Sequence, residues 1–272
     1  MSQRKRKRKL RWGRILILFL ILCGLIIGGV RLGIYGYDAL FSYKGYYAEN
    51  FRMRKQYMKY NDDRYTSVVG IDVSSHQGEI VWDQVAYDEN ISFVMVRCGF
   101  RGATDGNLYM DDYFSYNMSN ASYQGLDTGV YFYSTAVSKE EAKEEAKFVL
   151  SLIQYYNVTF PVAFDMEIYE HEDGRVNALT KEQTTEIALT FCKEIEKEGY
   201  TPMIYGNLDW LENHLDMEQI PYPVWYAAYQ KQPAILEGFQ MWQYTNQGKI
   251  SGISTIVDLN VFIKEKDSDQ SE

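Results

Sequence analysis

Eight short apolar runs, spread over the chain after about residue 67, constrain the fold more than any other feature of this sequence. Each run has the length of a buried β-strand, and segments with helical polar–apolar periodicity fill most of the gaps between them. The predicted strands are Val68–Val73, Phe93–Cys98, Val130–Tyr133, Pro161–Met166, Pro202–Tyr205, Val224–Ala228, Phe239–Gln243 and Thr255–Leu259.

The predicted helices follow the first five strands and are absent from the last gaps. They are Trp82–Asp88, Asp112–Gln124, Lys139–Gln154, Lys181–Glu198 and a shorter piece near Leu208–Leu215. The last two gaps carry Gly or Pro and are only about ten residues long, which suits hairpins or loops better than a packed helix. The pattern therefore predicts an α/β fold, an irregular βα barrel with eight strands and about five helices. An open doubly wound sheet is the alternative.

The N-terminal part differs from the rest in charge and hydropathy. Eight basic residues and no acidic one precede an uncharged apolar run, Ile15–Val30, and the apolar character continues weakly to about residue 37. A membrane-spanning helix needs about 17 to 20 residues, so the barrel is predicted to be preceded by one transmembrane helix. A cleaved signal peptide is the alternative, but no small-residue cleavage pattern follows the run.

The sequence divides into five predicted segments. Residues 1–14 form a basic cytoplasmic segment, 15–37 a transmembrane signal anchor, 38–66 a helical or irregular juxtamembrane stalk, 67–264 the catalytic barrel and 265–272 an acidic tail. Because basic residues stay on the cytoplasmic side, the chain is predicted to be a single-pass protein of the cell membrane, with its N-terminus in the cytoplasm and the barrel outside.

Charge and cysteine usage exclude several classes of function. Nine of the 28 basic residues lie at or before Arg31, whereas all 37 acidic residues lie at or after Asp38, so the predicted exported part carries about −18 and nucleic acid is not an expected partner. Cys98 and Cys192 stand in apolar contexts, and the three histidines are scattered. Neither a metal site nor a cofactor is predicted.

Four carboxylates lie at the ends of predicted strands, where active sites of barrels gather. Asp72 ends the first strand, Asp165 and Glu167 end the fourth, and Asp258 ends the eighth; closing the barrel would bring Asp72 close to Asp258. Asp165 and Glu167 are two residues apart, so both side chains point to one face with Cα atoms about 6.5 Å apart. Two carboxylates in one pocket repel each other, which lets an acid and an anion coexist near neutral pH, as glycoside hydrolysis requires.

Aromatic and amide side chains near the strand ends predict a carbohydrate cleft around these carboxylates. A single aromatic residue is more often core, but the group as a whole favours sugar binding. The predicted substrate-binding residues are Asp72, Asp258, Tyr131, Tyr133, Tyr205, Trp225, Tyr226 and Gln243.

The stretch GIDVSSHQGEIVW, residues 70–82, resembles the opening motif of glycoside hydrolase family 25, the lysozymes of the Chalaropsis type. Later blocks similar to that family follow in the same order: FVMVRCGFRG, GLDTGVYFYS, PVAFDMEI, PMIYGN, VWYAAY and the segment 241–262. The resemblance covers about residues 67–264. It implies a modified eight-stranded barrel that cleaves the β-1,4 bond from N-acetylmuramic acid to N-acetylglucosamine in peptidoglycan.

Carried over residue by residue, the resemblance implies Glu167 as proton donor, Asp165 as its partner, and Asp72 and Asp258 as flanking acids of the pocket. We therefore predict a membrane-anchored peptidoglycan hydrolase, with peptidoglycan glycan strands and the membrane as its partners. Two alternatives are a non-catalytic glycan-binding protein on the same barrel and a glycosidase for another polysaccharide. The sequence identifies no protein partner.

Overall fold

A computed structural model describes residues 45–168 and 174–266. Its strands are β1 (Phe51–Arg54), β2 (Tyr57–Tyr60), β3 (Tyr65–Val73), β4 (Ile91–Arg101), β5 (Leu108–Met110), β6 (Asp127–Tyr133), β7 (Val162–Asp165), β8 (Pro202–Asn207), β9 (Val224–Ala227), β10 (Met241–Gly248) and β11 (Val257–Glu265). The α-helices are α1 (Trp82–Ala86), α2 (Phe114–Tyr123), α3 (Lys139–Ile153) and α4 (Lys181–Lys197), and a π-helical turn spans Trp210–His214. All eight predicted strands and all five predicted helical segments are confirmed.

Eight of these strands close into a barrel. The sheet runs β3, β11, β10, β9, β8, β7, β6, β4, and β3 also pairs with β4. Neighbouring strands are parallel along the series β3, β4, β6, β7, β8, β9 and β10. Strand β11 is antiparallel to both of its neighbours, β10 and β3. This closure confirms the irregular βα barrel and excludes the open doubly wound sheet.

The two long helices pack through apolar stripes on the outside of the barrel. In α3, Ser138 accepts a hydrogen bond from the backbone N–H of Glu141, and this cap begins the helix. Its buried residues are Ala142, Glu145, Ala146, Val149 and Ile153, which fall on one face at helical spacing. In α4, Thr180 and Gln183 form a capping box, and the two helices pack against each other.

Side-chain alternation along the strands separates two apolar layers. Residues facing outward pack under the helices in one large cluster that includes Phe164 and Met166. Residues facing inward form a second cluster that fills the barrel: Phe93, Met95, Ala163, Met203, Tyr205, Trp225, Ala227 and Met241. This inner cluster is the floor on which the functional end of the barrel rests.

Most of residues 51–66, part of the segment predicted as a helical or irregular stalk, is β-structured and packs against the barrel, so that prediction is wrong there. Strands β1 and β2 form an antiparallel hairpin, and β3 begins at Tyr65. The ring of Phe51 packs against Trp242 at 5.4 Å between centroids, and Tyr46 donates a hydrogen bond to the carbonyl oxygen of Phe239 at 2.7 Å. The hairpin covers the outer face of β3, β10 and β11, and no helix lies in the connection from β10 to β11.

The predicted cytoplasmic segment and anchor lie outside the described residues, as do residues 38–44. Within residues 45–168 and 174–266, no helix has the length and apolarity needed to cross a membrane. At the other end, Glu265 still belongs to β11, and the backbone N–H of Lys266 donates to the carbonyl oxygen of Arg64. The predicted tail therefore begins inside the barrel fold, and its remainder lies outside the described residues.

Candidate active site

A cavity of about 630 Å³ opens at the end of the barrel where the parallel strands have their carboxyl ends. Inward-facing side chains from all eight barrel strands and from the segments that follow three of them line it. They are Asp72, His76, Arg97, Tyr131, Tyr133, Asp165, Glu167, Tyr205, Trp225, Tyr229, Gln243 and Asp258. The structure thus brings together nine of the ten sequence-predicted site residues.

Asp165 and Glu167 lie on the inward side of β7 and just beyond its end. Asp165 is the last residue of the strand and pairs in register with Tyr133 on β6, which also lines the cavity. Phe164 and Met166 are buried in the outer layer, as alternation predicts. The same strand therefore directs two carboxyl groups into the cavity and anchors them with two apolar side chains outside it.

Burial raises the pKa of the Asp165 carboxyl well above its usual range, and the charges of Glu167 and Asp72 raise it further. The guanidinium of Arg97 opposes this shift in the pKa of Asp165. Burial also raises the pKa of Glu167. Asp165 is buried, and its Oδ1 atom has no hydrogen-bond partner among the described residues. An unpartnered carboxyl oxygen at the bottom of a cavity is available to a ligand.

Asp72 and Asp258 face each other across β3 and β11, where they are paired in register. Their carboxyl groups share a hydrogen bond, and burial together with the charge of Asp72 raises the pKa of Asp258 to about 8. Asp258 is the second residue of β11, so the prediction that it ends the last strand was wrong. Because β11 runs antiparallel to β3, its first residues reach the same end of the barrel as the last residues of β3.

Gln243 connects several of the cavity residues. Its Nε2 donates to Asp72 Oδ2 at 2.9 Å, and its Oε1 accepts from the hydroxyls of Tyr205 at 3.0 Å and Tyr229 at 3.1 Å. Asn260 Nδ2 also donates to Asp72 Oδ2, at 2.8 Å. Burial raises the pKa of Asp72, and the hydrogen bonds from Gln243 and Asn260 oppose this rise. The same two hydrogen bonds fix the orientation of the carboxyl group.

Arg97 forms a cationic wall of the cavity that sequence reasoning missed. Its guanidinium donates to Asp111 Oδ2 at 2.8 Å and to Ser75 Oγ at 2.9 Å, and Asp111 also accepts from the backbone N–H of Ser75 at 3.0 Å. Arg97 stands in phase with the inward-facing Phe93 and Met95 on β4. That phase was readable from the sequence, whereas the approach of His76 from the turn after β3 was not.

Tyr226 does not line the cavity, which corrects its prediction as a substrate-binding residue. It belongs to the outer layer, where its ring lies 5.7 Å from that of Phe239. Trp225 faces inward and donates from Nε1 to Asn260 Oδ1 at 2.8 Å. Neighbouring residues on a strand point to opposite faces, so only one of the two could reach the cavity.

The described residues contain no group of His, Cys, Asp or Glu side chains arranged to hold a metal ion. The chemistry available at this end of the barrel is that of carboxyl groups with raised pKa values, one guanidinium and several tyrosine hydroxyls. Two carboxyl groups on one strand, sharing a cavity lined by aromatic rings, can divide the roles of acid and charge-stabilising anion.

Comparison with known proteins agrees with this arrangement. The model of Glycosyl hydrolases family 25 matches residues 71–253. The protein YegX of Escherichia coli K12 is 32% identical over 200 residues, covering 72% of this chain and 70% of YegX. Lysozyme M1 of Streptomyces globisporus is 27% identical over 209 residues, covering 72% of this chain and 68% of that protein.

Among solved structures, the modular autolysin LytC of Streptococcus pneumoniae superposes with a TM-score of 0.64 at 22% identity, covering 78% of this chain. This likeness shows the fold, and the chain spans about half the length of LytC, 52%. The match of the family model over two thirds of the chain, together with the YegX relationship, shows that this chain belongs to glycosyl hydrolase family 25 and is a glycoside hydrolase.

Proposed function

We propose that this protein is a membrane-anchored N-acetylmuramidase that cleaves the β-1,4 bond between N-acetylmuramic acid and N-acetylglucosamine in peptidoglycan. Family membership supports the reaction class. The relative named Lysozyme M1 and the structural neighbour LytC, whose structure was determined with a synthetic peptidoglycan ligand, support the choice of substrate. The basic N-terminus followed by an apolar run supports the anchor.

The observation that carries the proposal is the pair formed by Asp165 and Glu167 on the inward side of β7. Both carboxyl groups line the cavity, and burial raises both pKa values. Because two adjacent buried carboxylates repel each other, the pair keeps a proton to higher pH than an isolated exposed carboxyl group does. That proton is what a glycosidic oxygen needs when it leaves.

In the proposed reaction, Glu167 donates its proton to the leaving glycosidic oxygen, and the bond from that oxygen to the sugar carbon breaks. Asp165 supports the positive charge that develops on the sugar, either directly or by orienting the acetamido group of the substrate. A water molecule then forms the new bond to that sugar carbon, and the proton that the water loses restores the acid at the carboxyl pair. Asp72 lies in the same cavity, where Gln243 and Asn260 donate hydrogen bonds to its carboxyl group. These groups are in place before substrate arrives, so little reorganisation is needed in the transition state.

The test is the variant Glu167→Gln in the full-length chain, purified in detergent micelles. This change keeps the shape of the side chain and removes the acid, so turnover should fall by at least about a hundredfold while folding and glycan binding remain. Asp165→Asn should also be severe, since it removes the charge that supports the transition state. The measurement is release of reducing ends from purified peptidoglycan, with circular dichroism as the check on folding.

Glu194→Gln, on the outer helix α4, is the matched control and should retain wild-type turnover. Cleavage at the wild-type rate by folded Glu167→Gln would show that another group is the acid. Glycan binding by the wild-type protein without cleavage would favour the non-catalytic binding protein. Cleavage of a different polysaccharide in place of peptidoglycan would favour the other glycosidase.

A further inference from the structure

An irregularity in β4 places an aromatic ring at the rim of the cavity. On β4, two residues separate Arg97 from Phe100, whereas on β6 one residue separates their partners Tyr131 and Tyr133. Gly99 pairs with the intervening residue of β6, so the register shifts by one residue between Arg97 and Gly99. Tyr131 and Tyr133 both face the cavity. The shift therefore brings Phe100 to the inward side, above Arg97, although plain alternation from Arg97 would have turned it outward.

A row of stacked planar groups leads from the cavity to the surface. The Arg97 guanidinium carbon lies 5.5 Å from the centroid of the Phe100 ring. The Phe100 ring stacks on Tyr109 of β5, with centroids 5.3 Å apart and planes at 25°. Tyr109 is 40% exposed. We call Arg97, Phe100 and Tyr109 the rim platform.

The rim platform is held rigidly by the hairpin that connects β4 to β5. The Tyr109 hydroxyl donates to Asp105 Oδ2 at 2.6 Å, and Asp105 Oδ1 accepts from the backbone N–H of Asn107 at 3.0 Å. At the base of the hairpin, Arg101 donates to the carbonyl oxygen of Gly106 at 2.7 Å and forms a buried ion pair with Glu145 at 2.8 Å. A surface fixed in this way loses little conformational entropy when it binds a ligand.

The chemistry of the rim platform suits a sugar ring. An aromatic face carries the negative part of the ring quadrupole, which attracts the weakly positive C–H bonds on the flat side of a pyranose. The charged groups beside it are already engaged, Arg97 with Asp111 and Asp105 with Tyr109. A charged stem peptide would find no free partner on these side chains, whereas a sugar requires none.

We propose that the rim platform is an additional subsite that binds a sugar of the same glycan strand, beyond the residues enclosed by the cavity. This inference rests on the proposed function, because it takes the strand cleaved at Glu167 as the ligand. A polymer that enters a cavity of about 630 Å³ must leave it over the rim, and the rim platform is continuous with the cavity through Arg97. The subsite gives the enzyme a preference for long strands over short ones.

The test compares KM for peptide-free glycan strands, long strands against a tetrasaccharide, using full-length protein in detergent micelles. Tyr109→Ala should raise KM for long strands about three- to tenfold more than KM for the tetrasaccharide, with the effect in KM rather than kcat. Tyr109→Phe keeps the ring but loses the hydroxyl bond to Asp105, so its KM ratio should shift less than that of Tyr109→Ala. Tyr123→Ala, at a tyrosine on α2 that is 85% exposed, is the matched control and should leave the KM ratio unchanged.

A second measurement separates this inference from the proposed function. The affinity of Glu167→Gln for long strands should fall by the same factor, about three- to tenfold, when Tyr109→Ala is added. This measurement of binding does not depend on whether the wild-type protein cleaves the strands. An equal rise in KM for long and short strands, or weakened binding only when stem peptides are present, would overturn the glycan subsite and leave the muramidase standing. The opposite outcome would contradict the proposed function: the wild-type protein cleaves no strand, yet it binds long strands more tightly than Tyr109→Ala does.

Discussion

Asp258 retains its proton at a pH where an ordinary aspartate is ionised. Burial, the charge of Asp72 and a hydrogen bond to that carboxylate raise its pKa from 3.8 to about 8. Below about pH 4 the group is protonated in both the folded and the unfolded chain, so it leaves stability unchanged. As the pH rises toward 8, the unfolded chain alone releases the proton, and the free energy of unfolding falls.

The first prediction follows from that sign. Asp258→Asn removes the ionisable group but can still donate to Asp72, so the variant should be more stable than wild type at pH 8 by about 1–3 kcal/mol and equal to it near pH 3. Urea unfolding of a fragment that begins at residue 45 measures the difference. Asp63→Asn, at an exposed carboxyl, is the control. A gain that is constant across this pH range would contradict the role assigned to the proton.

Side-chain phase decides which residues of the site could have been predicted from the sequence. Asp165 and Glu167 were found because two residues of spacing on one strand gives one face. By the same rule, only one of Trp225 and Tyr226 can face the interior of the barrel. The rule also predicts that Arg97 faces the interior together with Phe93 and Met95. Phe100 could not have been found in this way, because the irregularity after Arg97 changes the phase of the strand.

At the scale of elements, the hairpin of β1 and β2 does for one side of the barrel what helices do for the other. The outer faces of β10 and β11 carry Trp242, Tyr244, Leu259, Val261 and Ile263, all buried. Tyr244 donates to the carbonyl oxygen of Gln56 at 3.0 Å and accepts from the backbone N–H of Met58 at 3.2 Å. Without the hairpin, these apolar side chains would face water, at a cost of about 25 cal/mol for each Å² of apolar surface.

The second prediction concerns this cover. Phe51→Ala leaves a hole between Tyr46, Tyr60, Phe239 and Trp242, so it should lower the free energy of unfolding of the 45–272 fragment by about 3 kcal/mol. Met53→Ala, on the same strand but 48% exposed, should change it by less than about 0.5 kcal/mol. A fragment that starts at residue 67 should be less stable than Phe51→Ala. Equal free energies of unfolding for the wild-type 45–272 and 67–272 fragments would refute the covering role of the hairpin.

Elements buried on both faces could be predicted from the sequence, and elements at the edge could not. The eight barrel strands read as apolar runs because their outer side chains meet helices or the hairpin and most of their inner ones meet the barrel core. Strands β1 and β5 expose most of their residues, so neither has an apolar run. The hairpin in residues 51–60 is fixed by contacts with β10, far away in sequence, which local patterns do not show.

At the scale of the whole molecule, the net charge of the barrel and its covalent link to the N-terminal segment both affect where in the cell the barrel acts. Nine basic residues lie at or before Arg31 and no acidic residue precedes Asp38, so the exported part carries about −18 in the proposed topology. Such a domain avoids other polyanions, and an anchor keeps it at the cell surface by covalent connection instead of by charge. Retention at the membrane and activity on glycan are therefore separable properties of the chain.

The last prediction tests that topology. If residues 15–37 form an uncleaved anchor with the N-terminus in the cytoplasm, intact protein should fractionate with membranes, and protease added to intact cells should remove the barrel. Changing the eight basic residues before Ile15 to neutral ones should weaken this orientation, because basic residues resist translocation. Changing the three lysines of α4, which follows the predicted anchor by more than a hundred residues, should leave the orientation unchanged. A barrel protected from protease in intact cells would refute the orientation, and a mature form in the medium that begins after residue 30 would show that the segment is cleaved.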